Sequence, residues 1–350
     1  MTDWLREPVA PLDSAARERA RTRQGQLTKP PGSLGQLETV AETLAAMQGR
    51  DAPRVERVQV AVFAADHGVA AEGVSAFPQA VTAEMVRNFA RGGAAVSVLA
   101  RELGAGLTVY NVGTAEPVEP LPGVEDRRVA PGSGNITLEP AMTAEQLEAA
   151  LAVGREAVDR ALEAGCDLFV AGEMGIANTT AATAIACAVF DAAPQDFAGP
   201  GTGLDRAGVA RKALVVQKAL NRARAHIDTP WDILRELGGL EIAAIAGAYL
   251  RAAQRGLPFL VDGYIASAAL LVLSRARPEV RDWALFGHAS AEPAHRRLLS
   301  ALEARPLLDL GMRLGEGSGA LAAVPVLRLA CALHNGMATF SEAGVSQGDA

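Results

Sequence analysis

The sequence predicts an α/β fold: a Rossmann-like, mainly parallel sheet with helices on both faces, plus a small helical domain built from both chain ends. Three observations predict it. Short β-rich apolar runs recur at 58–64, 107–112, 167–171, 258–261 and 283–286. Long segments of helical period separate them, and such alternation requires crossover connections and therefore parallel pairing. With 350 residues and 49% hydrophobic content, the chain can also bury the large core that a doubly covered sheet demands.

Taken in order, residues 14–26 form a charged helical stretch and 34–47 an amphipathic one. The loop Thr28-Lys29-Pro30-Pro31-Gly32-Ser33 joins them. The helix over 143–164 opens on Thr143 with Gln146 three residues later, the pattern of a capping box. From 319 to 340 the pattern is purely helical. The two ends are therefore expected to pack together as one small domain, 1–50 with 318–350, beside a large domain over 51–317. No internal repeat or low-complexity linker interrupts this arrangement.

Composition excludes several function classes. A net charge of -7 with acids and bases mixed along the chain argues against a nucleic-acid footprint, which needs clustered Lys and Arg. Cys166, Cys187 and Cys331 are odd in number and lack CxxC spacing, as expected of buried free thiols in a reducing compartment. The start Met1-Thr2-Asp3-Trp4 has no signal-peptide pattern, and no apolar run approaches about 20 residues. A cytoplasmic protein without a membrane span is the expectation.

Chemistry concentrates after the strands, where parallel sheets bind ligands. The five runs lead into Asp66-His67-Gly68, Asn111-Val112-Gly113-Thr114, Gly172-Glu173-Met174-Gly175, Asp262-Gly263 and Gly287-His288-Ala289-Ser290. Any one of these is explained as a turn or cap; jointly they favour a ligand crevice. Gly315-Glu316-Gly317-Ser318-Gly319 sets one carboxylate between glycines before a helix, so that backbone can press close to a ligand while the acid faces it. The plain alternative is a strand-to-helix turn with a solvated Glu. Glu173 and Glu316 are the best acid/base candidates, because desolvation raises a carboxyl toward use at neutral pH.

Two segments have the makings of anion cradles. Gly199-Pro200-Gly201-Thr202-Gly203-Leu204-Asp205 precedes a helical run containing Lys212, and Gly175-Ile176-Ala177-Asn178-Thr179-Thr180 opens a helix after its strand. Neither matches GxxxxGK[ST]. Residues 315–320 formally match G-x-G-x-x-A, but no strand follows to complete a dinucleotide-binding βαβ unit. The five histidines show no metal-ligand spacing, and no G-x-S-x-G elbow presents a nucleophile.

These residues carry a resemblance. Leu27-Thr28-Lys29-Pro30-Pro31-Gly32-Ser33-Leu34-Gly35, Ala64-Ala65-Asp66-His67-Gly68-Val69, Gly172-Glu173-Met174-Gly175-Ile176 with Asn178-Thr179-Thr180, Gly201-Thr202-Gly203-Leu204-Asp205 and Leu314-Gly315-Glu316-Gly317-Ser318-Gly319 resemble the nicotinate-nucleotide:dimethylbenzimidazole phosphoribosyltransferase family, in order from about Leu27 to Val345. The resemblance implies transfer of phosphoribose from nicotinate mononucleotide to 5,6-dimethylbenzimidazole, with inversion at C1′, giving α-ribazole 5′-phosphate and nicotinate in cobalamin nucleotide-loop assembly. It implies a homodimer and no metal or redox cofactor. It makes Glu316 the catalytic base and Glu173 the second acid. Phosphate contacts are expected from Gly175, Asn178, Thr179, Gly201, Thr202, Gly203, Lys212 and Ser290. Ser75, Phe77 and Gln79 are expected to line the benzimidazole slot, and Asp262 and Leu314 complete the binding set.

One departure stands out. The family reads Gly-Ile-Gly-Asn-Thr-Thr where this chain has Ala177 at the middle glycine. If that position requires positive φ, the local turn is expected to differ. Residue types alone do not rank dimethylbenzimidazole against another lower-ligand base. A non-catalytic nucleotide-binding protein and a nicotinamide-dependent oxidoreductase are the competing readings.

Overall fold

Six strands pair entirely in parallel in the computed structural model, which describes residues 2–346. They are β1 Val58–Ala65, β2 Gly106–Gly113, β3 Val124–Asp126, β4 Leu168–Met174, β5 Phe259–Val261 and β6 Ala284–Phe286, in the spatial order β3-β2-β1-β4-β5-β6. The order reverses between β1 and β4, which pair from Val58↔Leu168 to Ala64↔Met174. A reversal of this kind opens a crevice at the carboxyl ends of the two strands.

The central strands read as continuous apolar runs because helices cover both their faces. In β1 only Gln59 is less than fully buried. The helix Leu240–Gln254 is buried nearly all round and crosses the helix Ala144–Glu163 at close range. Glycines permit that approach: a β-carbon at Gly154 would stand 1.8 Å from the Ala244 carbonyl oxygen, and one at Gly247 2.1 Å from that of Leu151.

All five expected strands are present, with edges shifted by up to three residues. The sequence pattern gave no sign of β3, whose three residues at the sheet edge are too few to show a period. The Thr143–Gln146 capping box forms in both directions, at 2.9 and 3.2 Å. The pattern read as one helix over 319–340 is divided: Ser318–Gly336 ends at an extended Met337, and Thr339 caps a short helix, Phe340–Ala343. The break lets Thr339 form an antiparallel bridge with Leu27.

The chain ends touch along this seam. Arg23 Nε donates to the His334 carbonyl at 2.8 Å, and Gln24 Nε2 lies 2.9 Å from His334 Nδ1. The helix Gln36–Gln48 packs on Ser318–Gly336. Residues 347–350, the end of the expected small domain, lie outside the described residues. All three cysteines are buried and free. Among the described residues, no helix is long and apolar enough to cross a membrane.

Candidate active site

A cavity of about 390 Å³ opens beyond the carboxyl ends of β4, β5 and β6. Glu173, Asp262, His288 and Ser290, each at or just past a strand end, form its floor, and the segment carrying Glu316 closes one wall. The volume lies in the range of small-molecule sites.

Three consecutive residues in the left-handed region build that wall: Gly315 (φ 92°), Glu316 (φ 66°) and Gly317 (φ 89°). Glycines adopt this conformation freely, whereas a glutamate there is strained, a condition that clusters at functional sites. The loop is pressed against β4, since a β-carbon at Gly172 would stand 2.1 Å from the Glu316 carbonyl oxygen. Asp262 fixes it from β5: its carboxylate accepts the backbone N–H of Gly317 at 3.3 Å and of Ala320 at 2.7 Å. Asp262 thus lines the cavity while both its oxygens hold the start of the helix Ser318–Gly336.

Glu316 is 5% exposed, and its Oε2 accepts the Val96 N–H at 3.2 Å. Burial raises its carboxyl above the ordinary range, the Val96 hydrogen bond opposes that rise, and the charge of Asp262 adds to it. Glu173 is pushed up to about 8, first by complete burial and then by Asp262 and Glu241; Asn178 opposes the shift by donating its side-chain N–H to Glu173 Oε2. Near neutrality Glu173 is therefore mostly a neutral acid. It also stands under the loop, for a β-carbon at Gly315 would meet Glu173 Oε1 at 2.2 Å.

The two segments read as anion cradles meet on the opposite side of the cavity. Gly175, Asn178 and Thr179 open the helix Asn178–Phe190 there, and Gly201 and Thr202 face them. Ala177 precedes that helix at φ 76°, so the turn takes the left-handed geometry with an alanine in it, and the alanine bears the strain. Lys212 stands behind the lining, 1% exposed, donating to Thr179 Oγ1 at 3.0 Å and the Gly199 carbonyl at 3.1 Å. Burial brings it down to about 8, partly offset by the charge of Glu292. Arg313 Nη1 donates to the Gly201 carbonyl at 2.8 Å.

Phe77 and Leu314, both exposed, flank the mouth. Of the remaining expected residues, Ser75 and Gln79 sit beside the cavity without lining it: Ser75 Oγ is 3.4 Å from Thr202 Oγ1, and Gln79 donates to the His67 carbonyl at 3.4 Å. Gly203 has open space around it. Sequence reasoning missed Arg313, Glu292 and Tyr264 as lining residues and treated His288 only as a strand-end residue. Arg313 and Glu292 each lie within three residues of a position that was singled out, and that neighbourhood was the available signal. Among the described residues, no group of three or more His, Cys, Asp or Glu is placed to hold a metal ion.

The family described as phosphoribosyltransferase matches residues 9–345. The chain is 61% identical over 343 residues to a nicotinate-nucleotide–dimethylbenzimidazole phosphoribosyltransferase of Pseudomonas aeruginosa, covering 98% of each chain. It is 58% identical over 344 residues to one from Ectopseudomonas mendocina, again covering 98% of each. A crystal structure of the enzyme of that name from Thermus thermophilus superposes with a TM-score of 0.91 at 47% identity, covering 96% of this chain and 100% of that one. By these matches the chain belongs to the nicotinate-nucleotide:dimethylbenzimidazole phosphoribosyltransferase family and is a phosphoribosyltransferase.

Proposed function

We propose that this chain moves 5-phosphoribose from nicotinate mononucleotide to 5,6-dimethylbenzimidazole with inversion at C1′, giving α-ribazole 5′-phosphate and nicotinate for cobalamin nucleotide-loop assembly. The observation that carries the reading is Glu316, a buried carboxylate with a raised pKa, held in a strained loop across one cavity from an anion cradle.

The chemistry asks little more of the protein. The C1′–N bond of the nucleotide breaks with its electron pair passing to the pyridinium nitrogen, which becomes neutral. The incoming azole nitrogen bonds to C1′ from the opposite face, so β becomes α. Holding both rings in line is an orientation effect. As the new bond forms, the other azole N–H turns acidic, and Glu316 accepts that proton so that no buried cation persists. A base with an elevated pKa is matched to this task.

The remaining roles follow position. Gly175, Asn178, Thr179, Gly201, Thr202 and Ser290 bind the phosphoribosyl group with Lys212 behind them, Gly203 shapes the turn, and Phe77 and Leu314 flank the acceptor ring, with Ser75 and Gln79 bracing that side. Glu173 supports Gly315 and remains protonated. A homodimer and a small domain formed by the two chain ends belong to the same proposal. The resemblance supports the first, and the Leu27–Thr339 bridge with the packing of the terminal helices supports the second.

Incubation with nicotinate mononucleotide and 5,6-dimethylbenzimidazole, followed by chromatography and NMR of the product anomer, tests the reading. Released nicotinate with an α-linked riboside phosphate is expected. A β-linked product, or no release with this base or with benzimidazole or adenine in its place, would overturn it.

A further inference from the structure

Glu292 is a carboxyl group that the transfer chemistry does not use. It lines the cavity two residues after Ser290, is 6% exposed, and its Oε1 has no hydrogen-bond partner. Its other oxygen lies against the cradle, since a β-carbon at Gly199 would stand 2.0 Å from Glu292 Oε2. A buried acid with a free oxygen at an anion site is costly if it stays ionised when the anion arrives, because two negative groups then share one desolvated space.

The groups facing Glu292 come from five segments. Lys212 reaches in from the helix Arg206–Ala223, and Arg313 from the segment preceding Gly315. The Gly201 N–H contributes a backbone hydrogen bond. Tyr264 approaches from the helix Tyr264–Ala276, and His295 begins the helix that follows Glu292. His295 brings no charge: its Nδ1 accepts the Ser290 N–H at 2.8 Å, its Nε2 faces Ser267 Oγ at 2.9 Å, and burial drives it down to about 3. Burial already raises Glu292, while Lys212, Gly201 and Arg313 favour its ionised form in the free site.

From this arrangement, and resting on the phosphoribosyl-transfer reading, we propose that Glu292 binds the sugar phosphate as a neutral acid, donating its O–H to a phosphate oxygen, so that occupancy of the cradle takes up one proton from solvent. A phosphate dianion competes for the donors that keep the carboxylate ionised and adds its own repulsion, and both effects favour protonation. The sign follows: a group protonated on binding makes affinity fall as pH rises, by about tenfold per unit where a whole proton is linked.

Calorimetric titration near neutral pH, in two buffers of different ionisation enthalpy, reads the proton count directly. The ligands are nicotinate mononucleotide and ribose 5-phosphate, with nicotinate riboside as the probe lacking phosphate. Uptake of close to one proton is expected with both phosphates and none with the riboside. Burial brings Lys212 down only to about 8, so below that pH it stays charged and adds little to the proton count. Glu292→Gln, checked for an unchanged melting transition, should bind both phosphates within about threefold of wild type at acid pH and lose the neutral-range slope, since the amide retains a donor without a titration.

Phosphate binding without proton uptake overturns the proposal, as does failure of both phosphates to bind. So does a Glu292→Gln variant that binds at least tenfold more weakly and keeps the wild-type slope, which would assign Glu292 an ionised role such as accepting ribose hydroxyls. Ribose 5-phosphate keeps the two readings apart. Uptake with it stands even if no transfer to an azole is found, and transfer without uptake removes only the role of Glu292.

Discussion

The Cα of Gly172 lies directly against the carbonyl of Glu316: a single methyl group there would stand 2.1 Å from that oxygen and 2.9 Å from the Gly317 nitrogen. One hydrogen atom on a central strand therefore sets the distance of the acid-bearing loop from the sheet. Gly172→Ala is expected to push the loop outward. A displacement near 1 Å in a reacting group costs about 10²-fold in rate. Turnover should drop by roughly that factor while nicotinate mononucleotide binding, made on the far side of the cavity, changes little. Steady-state kinetics with a calorimetric binding curve checks this, and unchanged turnover would show that the loop position does not matter.

Replacing the acid itself separates chemistry from placement. Glu316→Gln keeps the size of the side chain and an acceptor for the Val96 N–H, but cannot take a proton. Turnover is expected to fall by about 10² to 10⁴, the usual value of a general base, with the melting transition and nucleotide affinity near wild type. A variant with wild-type turnover would remove Glu316 from the mechanism.

The pH profile has a direction on each side. In the proposed mechanism Glu316 acts ionised, and burial raises its carboxyl, so activity is expected to be lost on acidification at a pH above the ordinary carboxyl range. Lys212 is proposed to act as a cation, and burial brings it down to about 8, so nucleotide affinity is expected to fall as pH climbs through that value. In Lys212→Ala the step in nucleotide affinity near pH 8 should disappear, while the neutral-range fall proposed for Glu292 and the acid limb of kcat/KM should remain. Retention of that step would place the alkaline group elsewhere.

Ala177 offers a test of backbone strain. At φ 76° an L-residue costs about 1–2 kcal/mol, whereas glycine is tolerant there and gives back about 0.5–1 kcal/mol in unfolded-chain entropy. Ala177→Gly is expected to stabilise the protein by about 0.5–1 kcal/mol, raising Tm by about 1 °C in thermal denaturation. A lower Tm would mean that the methyl group, 4% exposed, contributes packing that outweighs the strain.

Much of this was legible without coordinates. Period and alternation marked five strands and the long helices, because burial on two faces or one stripe imposes its spacing on residue choice. Polar residues beside glycine marked the strand ends, and the glycines around Glu316 marked the loop. The three-residue β3 was invisible, and the bridge between Thr339 and Leu27 joins residues more than three hundred positions apart.

By itself, then, the sequence determined an α/β chain with a parallel sheet, its acid candidates and its glycine-built cradles, since these rest on local preference and on residues close together in the chain. Only the tertiary structure decided which acid does what. Asp262 is engaged by the N–H groups of Gly317 and Ala320, Glu173 is pushed up toward its neutral form by depth and neighbouring charge, and Glu292 is left with an unpartnered oxygen. Desolvation and electrostatic coupling act through space, and the spacing of residues along a chain does not encode how deep a carboxyl sits or what faces it.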